Sequence, residues 1–205
     1  MNKKRDNDPT SRVQRESIIV IDFGSQYSML IARRIRESKV YCEVVSHRTS
    51  WERVAVLNPK GVILSGGPAS VYEEGAPLAP TWVYDEGLPV LGICYGMQVM
   101  AHQLGGKVKP SSRKEYGSAS INISAQDARL FSGLPSELQV WMSHGDHITE
   151  PPAGFESLAS SENSPVAVMG DGNRLLGIQF HPEVAHTPYG TEIDRKSTRL
   201  NSSHW

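Results

Sequence analysis

The chain has 205 residues, 39% of them hydrophobic, with a formal net charge of −1. This length suits one domain with a sizeable core. The near-neutral charge leaves no electrostatic footprint for nucleic acid or an anionic membrane, and no apolar stretch is long enough to span a bilayer.

Residues 1–16 are polar, with Lys3, Lys4, Arg5, Arg12 and Arg15 interleaved with Asp6, Asp8 and Glu16. They read as a disordered, solvated arm and not as a secretory signal. The domain is expected over residues 17–194. Ile18-Ile19-Val20-Ile21 is a buried strand, and Asp22-Phe23-Gly24-Ser25 ends it. Asp22-Phe23-Gly24 copies the kinase magnesium triplet, but without that family's companion motifs it reads as a strand-to-helix turn. Tyr27, Leu30, Ile31 and Ile35 recur at helical spacing, and Val40–Val45 is a second strand. Cys42 lies in that strand as a small buried hydrophobe. With only two cysteines there is no disulfide framework, which points to a reducing, cytoplasmic setting.

Gly61-Val62-Ile63-Leu64 is a third strand, cut off by Ser65-Gly66-Gly67-Pro68. A helix is expected over Pro77–Glu86, and a strand over Pro89–Ile93. After it, Met97, Met100, Ala101 and Leu104 stripe a helix that Gly105-Gly106 ends. Strands alternating with helices to about residue 106 predict an α/β fold, a mostly parallel central sheet with helices on both faces. The second half is richer in strands: Ser118–Ile123, Leu138–Met142, Phe155–Ala159, Val166–Met169 and Leu175–Phe180, with a turn at Asp171-Gly172-Asn173.

The most informative segment is Gly92-Ile93-Cys94-Tyr95-Gly96, a nucleophile elbow at a strand-helix turn. Its glycines permit a very tight turn, and the following helix aims its N-terminal amides and positive dipole end at the sulfur. A nucleophilic cysteine needs a base, and the base needs an orienting partner. Among seven histidines, His181 follows the last expected strand, and Glu183 can accept its ring N–H. Taken without Cys94, His181 reads by preference as a structural hydrogen bond at a strand end. The Tyr95 N–H is the expected first oxyanion donor. The Ser65–Pro68 segment is either a second backbone donor or an ordinary Gly-Pro turn. His144 and His147 have metal-like spacing, but no further cluster supports a metal site. His186 reads as a surface histidine.

Gly92–Gln98 together with Gln179–Val184 resembles class I, triad-type glutamine amidotransferases. Asp22–Tyr27, Ile63–Pro68, Trp141–Asp146 and His181–Thr187 narrow the resemblance to the amidotransferase domains of GMP synthetases. These motifs occur in that family's order over roughly Ile18 to Asp194. The resemblance implies that Cys94 attacks the side-chain amide of glutamine, that His181 moves protons and that Glu183 orients His181. It places Gly67 and Tyr95 at the oxyanion hole. It places Gln98 and a loop of Ser143, His144, Gly145 and Asp146 on the glutamine substrate. A free amino acid carries an ammonium and a carboxylate, so Asp146 suits the ammonium.

The family's synthetase domain, an ATP pyrophosphatase that aminates xanthosine monophosphate (XMP), is the implied partner. ATP and magnesium belong to it, and no cofactor is expected in the amidotransferase domain. Its loop, Ser-Gly-Gly-x-Asp-Ser, is approached only by Ser65-Gly66-Gly67-Pro68-Ala69-Ser70, which has Pro-Ala in place of x-Asp. Residues 195–205 resemble a translated sequencing adapter. Native sequence is therefore expected to stop near Asp194, leaving a helix begun at Tyr189–Ile193 without continuation. Other readings left open are an inactive or regulatory binding domain, a glutaminase component of another synthase, and a cysteine peptidase.

Overall fold

In the computed structural model, residues 16–124 and 130–200 are described. The expected arm, up to residue 15, and the last five residues of the tail lie outside them. In chain order the elements begin with β1 (Ser17–Asp22), α1 (Ser28–Glu37), β2 (Tyr41–Ser46), α2 (Trp51–Ala55) and β3 (Pro59–Leu64). Next come α3 (Trp82–Asp85), β4 (Val90–Ile93), α4 (Tyr95–Gln103), β5 (Lys107–Ile123) and β6 (Glu137–Glu150). β7 (Glu156–Ser161), β8 (Val168–Gly170), β9 (Leu175–Ile178) and α5 (Gly190–Leu200) complete the described chain.

The strands form one nine-stranded sheet, ordered β2-β1-β3-β4-β9-β8-β7-β5-β6. From β2 to β9 every neighbouring pair is parallel. From β9 to β6 every pair is antiparallel. The expected mostly parallel sheet is therefore matched only in part: the strand-rich second half extends the same sheet in the opposite sense. β9 joins the two halves, parallel to β4 and antiparallel to β8.

Side chains alternate across a strand, and the β-branched run of β1 supplies two cores. Ile18 and Val20 pack with Ile31, Ala32 and Ile35 of α1 and with Ile193 of α5. Ile19 and Ile21 pack with Val54 of α2, Trp82 and Val83 of α3, and Met97, Met100 and Ala101 of α4. Helices cover both faces, as expected. Asp22 Oδ1 accepts from Gly24 N, Ser25 N and Ser28 Oγ, which makes the segment the expected strand-to-helix turn. Cys42 is fully buried, with Sγ 3.4 Å from Ala32 O.

Four expectations need correction. The Pro77–Glu86 helix shrinks to α3; Pro80 has no N–H to donate, and the residue before a proline is driven out of the helical region. Tyr27 is not part of the buried stripe of α1, which consists of Ser28, Ile31, Ala32 and Ile35. Residues 143–146 are not a loop but the middle of β6. The helix begun near Tyr189 does not stop at Asp194: α5 runs to Leu200 and seats Ile193 fully buried in the core.

Candidate active site

The turn between β4 and α4 puts Cys94 at φ +52°, ψ −108°, a backbone region that a non-glycine residue rarely occupies. Two glycines allow it. A Cβ on Gly96 would lie 2.3 Å from Leu64 O, and one on Gly92 would lie 2.7 Å from Met97 N. The chain around Cys94 can approach its neighbours only because those side chains are absent. Cys94 N donates to Ile178 O at 2.8 Å, so β9 anchors the turn from the other side. The sulfur lies 3.5 Å from Ser143 O. Tyr95 opens α4, and its N–H, like any first-turn amide, has no acceptor within the helix.

His181 follows β9, the strand next to β4, which brings it to the same rim as Cys94. Its backbone N–H donates to Trp141 O at 3.0 Å. Thr187 Oγ1 donates to His181 O at 2.8 Å and accepts from Trp141 N at 3.1 Å, closing a small clasp. The ring is almost wholly buried. Nδ1 lies 2.7 Å from Glu183 Oε1, and a carboxylate there requires that Nδ1 carry the proton. Burial alone would lower the His181 pKa. Hydrogen bonds to Cys94 and Glu183, with their charges, outweigh burial and push it up to about 10. Tyr27 covers the imidazole, ring centroids 5.1 Å apart. Arg34 Nε donates to Glu183 O at 3.2 Å, tying α1 to the same segment. Nearby Asp194 is pushed up to about 7, first by burial and then by the Glu183 charge, against Arg34.

Facing these groups is the inward edge of β6. Its buried positions alternate along Leu138, Val140, Met142, His144, Asp146 and Ile148, so two polar residues take places that a core strand gives to apolar ones. Both are partnered. His144 Nδ1 donates to Asp146 O at 2.8 Å, since a carbonyl can only accept. His144 Nε2 lies 3.0 Å from Glu115 Oε2 on β5, an approach that needs a proton between them. Burial lowers the His144 pKa, and Glu115 opposes it. Ser161 Oγ donates to Glu115 in turn. Gln98, buried on α4, donates Nε2 to Asp146 O at 3.1 Å and to Gln179 Oε1 at 3.2 Å. Its amide protons therefore brace the wall.

Cys94, His181, Gly67, Tyr95, Gln98 and Ser143 through Asp146 all line one cavity of about 670 Å³. Glu183 stands behind His181 and does not line it. A Cβ on Gly67 would sit 3.0 Å from Tyr95 Cδ1 and 3.1 Å from Phe23 O, so this loop is wedged against the nucleophile turn. His186 is exposed, as expected, and lies over Trp141 with ring centroids 4.7 Å apart. Among the described residues no group of three His, Cys, Asp or Glu is placed to hold a metal, and no helix is long and apolar enough to cross a membrane.

Sequence reasoning did not find Glu115, Ser70, Tyr72 or the ring contact of Tyr27. Glu115 sits in a polar stretch with no periodicity. Ser70 and Tyr72 lie in an irregular segment whose partner, Asp146, is more than 70 positions away. Tyr27 offered one available signal, an aromatic residue directly after the Asp22–Gln26 turn.

The family model for class I glutamine amidotransferases matches residues 19–199. A glutamine-hydrolysing GMP synthase of Dehalococcoides mccartyi is 61% identical over 179 residues, covering 87% of this chain and 34% of that protein. One from Aquifex aeolicus is 54% identical over 182 residues, 88% of this chain and 36% of that one. The chain thus spans about a third of the length of these relatives. Among solved structures, a putative GMP synthase subunit from Thermoplasma acidophilum superposes with a TM-score of 0.83 at 32% identity, covering 92% of this chain and 95% of that one.

Proposed function

We propose that this chain, which belongs to the class I glutamine amidotransferases, hydrolyses glutamine to glutamate and ammonia through Cys94, His181 and Glu183. The observation that carries the reading is the joint placement of the three. Cys94 sits on a strained turn, His181 lines the same cavity, and Glu183 holds a ring nitrogen of His181 at 2.7 Å.

The Cys94 thiolate attacks the side-chain carbonyl carbon of glutamine, and the carbonyl oxygen becomes an oxyanion. The amides of Tyr95 and Gly67 are the donors for it. His181, an imidazolium at neutral pH, gives its Nε2 proton to the departing nitrogen, and ammonia leaves a γ-glutamyl thioester. The neutral imidazole then takes a proton from water as that water attacks the thioester. Collapse of this second adduct releases glutamate and restores the thiolate–imidazolium pair. Glu183 keeps the proton on Nδ1 and stabilises the imidazolium at each turn. Asp146 meets the α-ammonium of glutamine, and Gln98 and the backbone of residues 143–145 position the rest.

The ammonia serves, on this reading, an ATP-dependent synthetase that aminates XMP to GMP in the cytoplasm. The similarity to GMP synthases over the amidotransferase span supports that assignment. ATP and magnesium belong to that synthetase, and no step above uses them. Glutamate release from glutamine by the purified chain tests the reading, with Cys94→Ala as control. Absence of release, alone or with an added synthetase, ATP and XMP, overturns the activity. Equal release by Cys94→Ala overturns the mechanism.

A further inference from the structure

The Asp146 carboxylate is held from outside its own strand. Ser70 Oγ donates to Oδ2 at 2.6 Å, and the Tyr72 hydroxyl donates to Oδ1 at 2.7 Å. These are the short lengths of hydroxyl bonds to an ionised carboxylate. Asp146 is buried yet lines the cavity, and so do both hydroxyl residues. Each carboxylate oxygen has a further lone-pair site, so two hydroxyl donors orient the group without exhausting it. Burial and then the bond to Asp146 raise the Tyr72 pKa, so the phenol stays protonated and stays a donor.

Ser70 and Tyr72 lie on the irregular segment after β3 that also carries Gly67. Ser70 and Glu73 brace that segment with a tight turn, Glu73 N to Ser70 O at 3.0 Å. One short loop therefore touches the nucleophile turn at Gly67 and the inward edge of β6 at Asp146.

We infer that Ser70 and Tyr72 are positioning residues for head-group recognition: they fix both oxygens of Asp146 so that it meets the α-ammonium of the substrate, and they lock this carboxylate to the loop bearing the oxyanion donor. The inference rests on the role given to Asp146 above. It makes the two hydroxyls determinants of selectivity for an amino acid over an amide that lacks the α-amino group. They act through Asp146 and do not touch the reacting atoms.

The test compares L-glutamine with glutaramate, which is glutamine without its α-amino group. Binding to the Cys94→Ala protein is measured by calorimetry, and kcat and KM are measured on the active protein. Tyr72→Phe and Ser70→Ala are each expected to cut the preference for glutamine over glutaramate by about 10-fold, chiefly through KM and Kd. Ser70→Thr, which keeps the hydroxyl, is expected to restore most of it. Equal losses on both substrates, or an unchanged preference in both hydroxyl-deletion variants, overturn the inference. Asp146→Asn separates this from the underlying reading. If it abolishes the preference and the hydroxyl variants do not, only the positioning role fails. If Asp146→Asn leaves the preference intact, the ammonium role of Asp146 fails and takes the inference with it. Thermal melts of every variant, unchanged from the parent, establish that the effect is not loss of fold.

Discussion

The two halves of the sheet place polar groups in different ways. In the parallel half, Cys94 and His181 stand just beyond strand ends, where the chain turns and the side chains leave the sheet. In the antiparallel half, His144 and Asp146 lie within β6, on a face that the rest of the strand gives to Leu138, Val140 and Met142. Groups at strand ends need a special backbone: a positive φ at Cys94 and missing side chains at Gly92 and Gly96. Groups inside a strand keep ordinary backbone and need polar partners instead, here Glu115, Gln98, Ser70 and Tyr72. On the proposed function, reactivity comes from strain and first-turn amides on one side, and recognition comes from satisfied buried polarity on the other.

This contrast can be broken by experiment. The largest effect is expected at the nucleophile: Cys94→Ala lowers glutamate release by at least about 10⁴-fold while the melting temperature holds, as steady-state and melting data check. The next contrast sets two glycines against each other. Gly96→Ala drives a Cβ into Leu64 O and is expected to cost about 3 kcal/mol or to prevent folding. A Cβ on Gly145 of β6 meets only Tyr116 and Lys114 side-chain atoms, at 3.6 Å and beyond, so Gly145→Ala is expected to cost less than about 1 kcal/mol. Similar losses in denaturant melts would mean that the halves do not differ in backbone constraint.

Glu183→Gln is expected to lower kcat by about 10²-fold, because Nδ1 loses the carboxylate that fixes its proton. It also bears on pH. The His181 pKa is raised from its ordinary 6.5 to about 10 in the fold. The stability this proton contributes is fully present below about pH 6.5 and is lost as pH rises through about 10. Melting temperature followed from pH 6 to 10.5 should fall for the parent chain, and Glu183→Gln should begin its fall at lower pH. Coincident curves would remove Glu183 as a cause of the raised pKa and leave Cys94. A more modest effect on activity is expected from the polar network of the antiparallel half. Glu115→Gln weakens the contact to His144 and should cost about 1–2 kcal/mol, with KM for glutamine affected more than kcat. A larger loss in kcat would place Glu115 with the reacting groups.

Much of the parallel half was legible in the sequence because its signals are local. The β-branched run of β1, the glycines around Cys94 and the Asp22 turn each occupy a few consecutive residues. The antiparallel half was read short. Alternation stopped at Met142 because the next inward positions, His144 and Asp146, are polar, so β6 looked finished where it turns toward the cavity. The polar start of β5 has no apolar period at all. α5 was missed beyond Asp194 because its continuation carries no apolar stripe, although Ile193 is fully buried in the core.

By itself the sequence determined the tight turn at Cys94, since a cysteine between glycines after a buried strand is a local steric fact. It also determined the alternation of strand and helix and the pairing of His181 with Glu183, two residues apart. Only the tertiary structure decided which polar groups face that sulfur. Ser70 and Tyr72 meet Asp146 across more than 70 residues, because β6 returns past the loop after β3. Contacts at that separation depend on chain path and burial, which no short window of sequence contains.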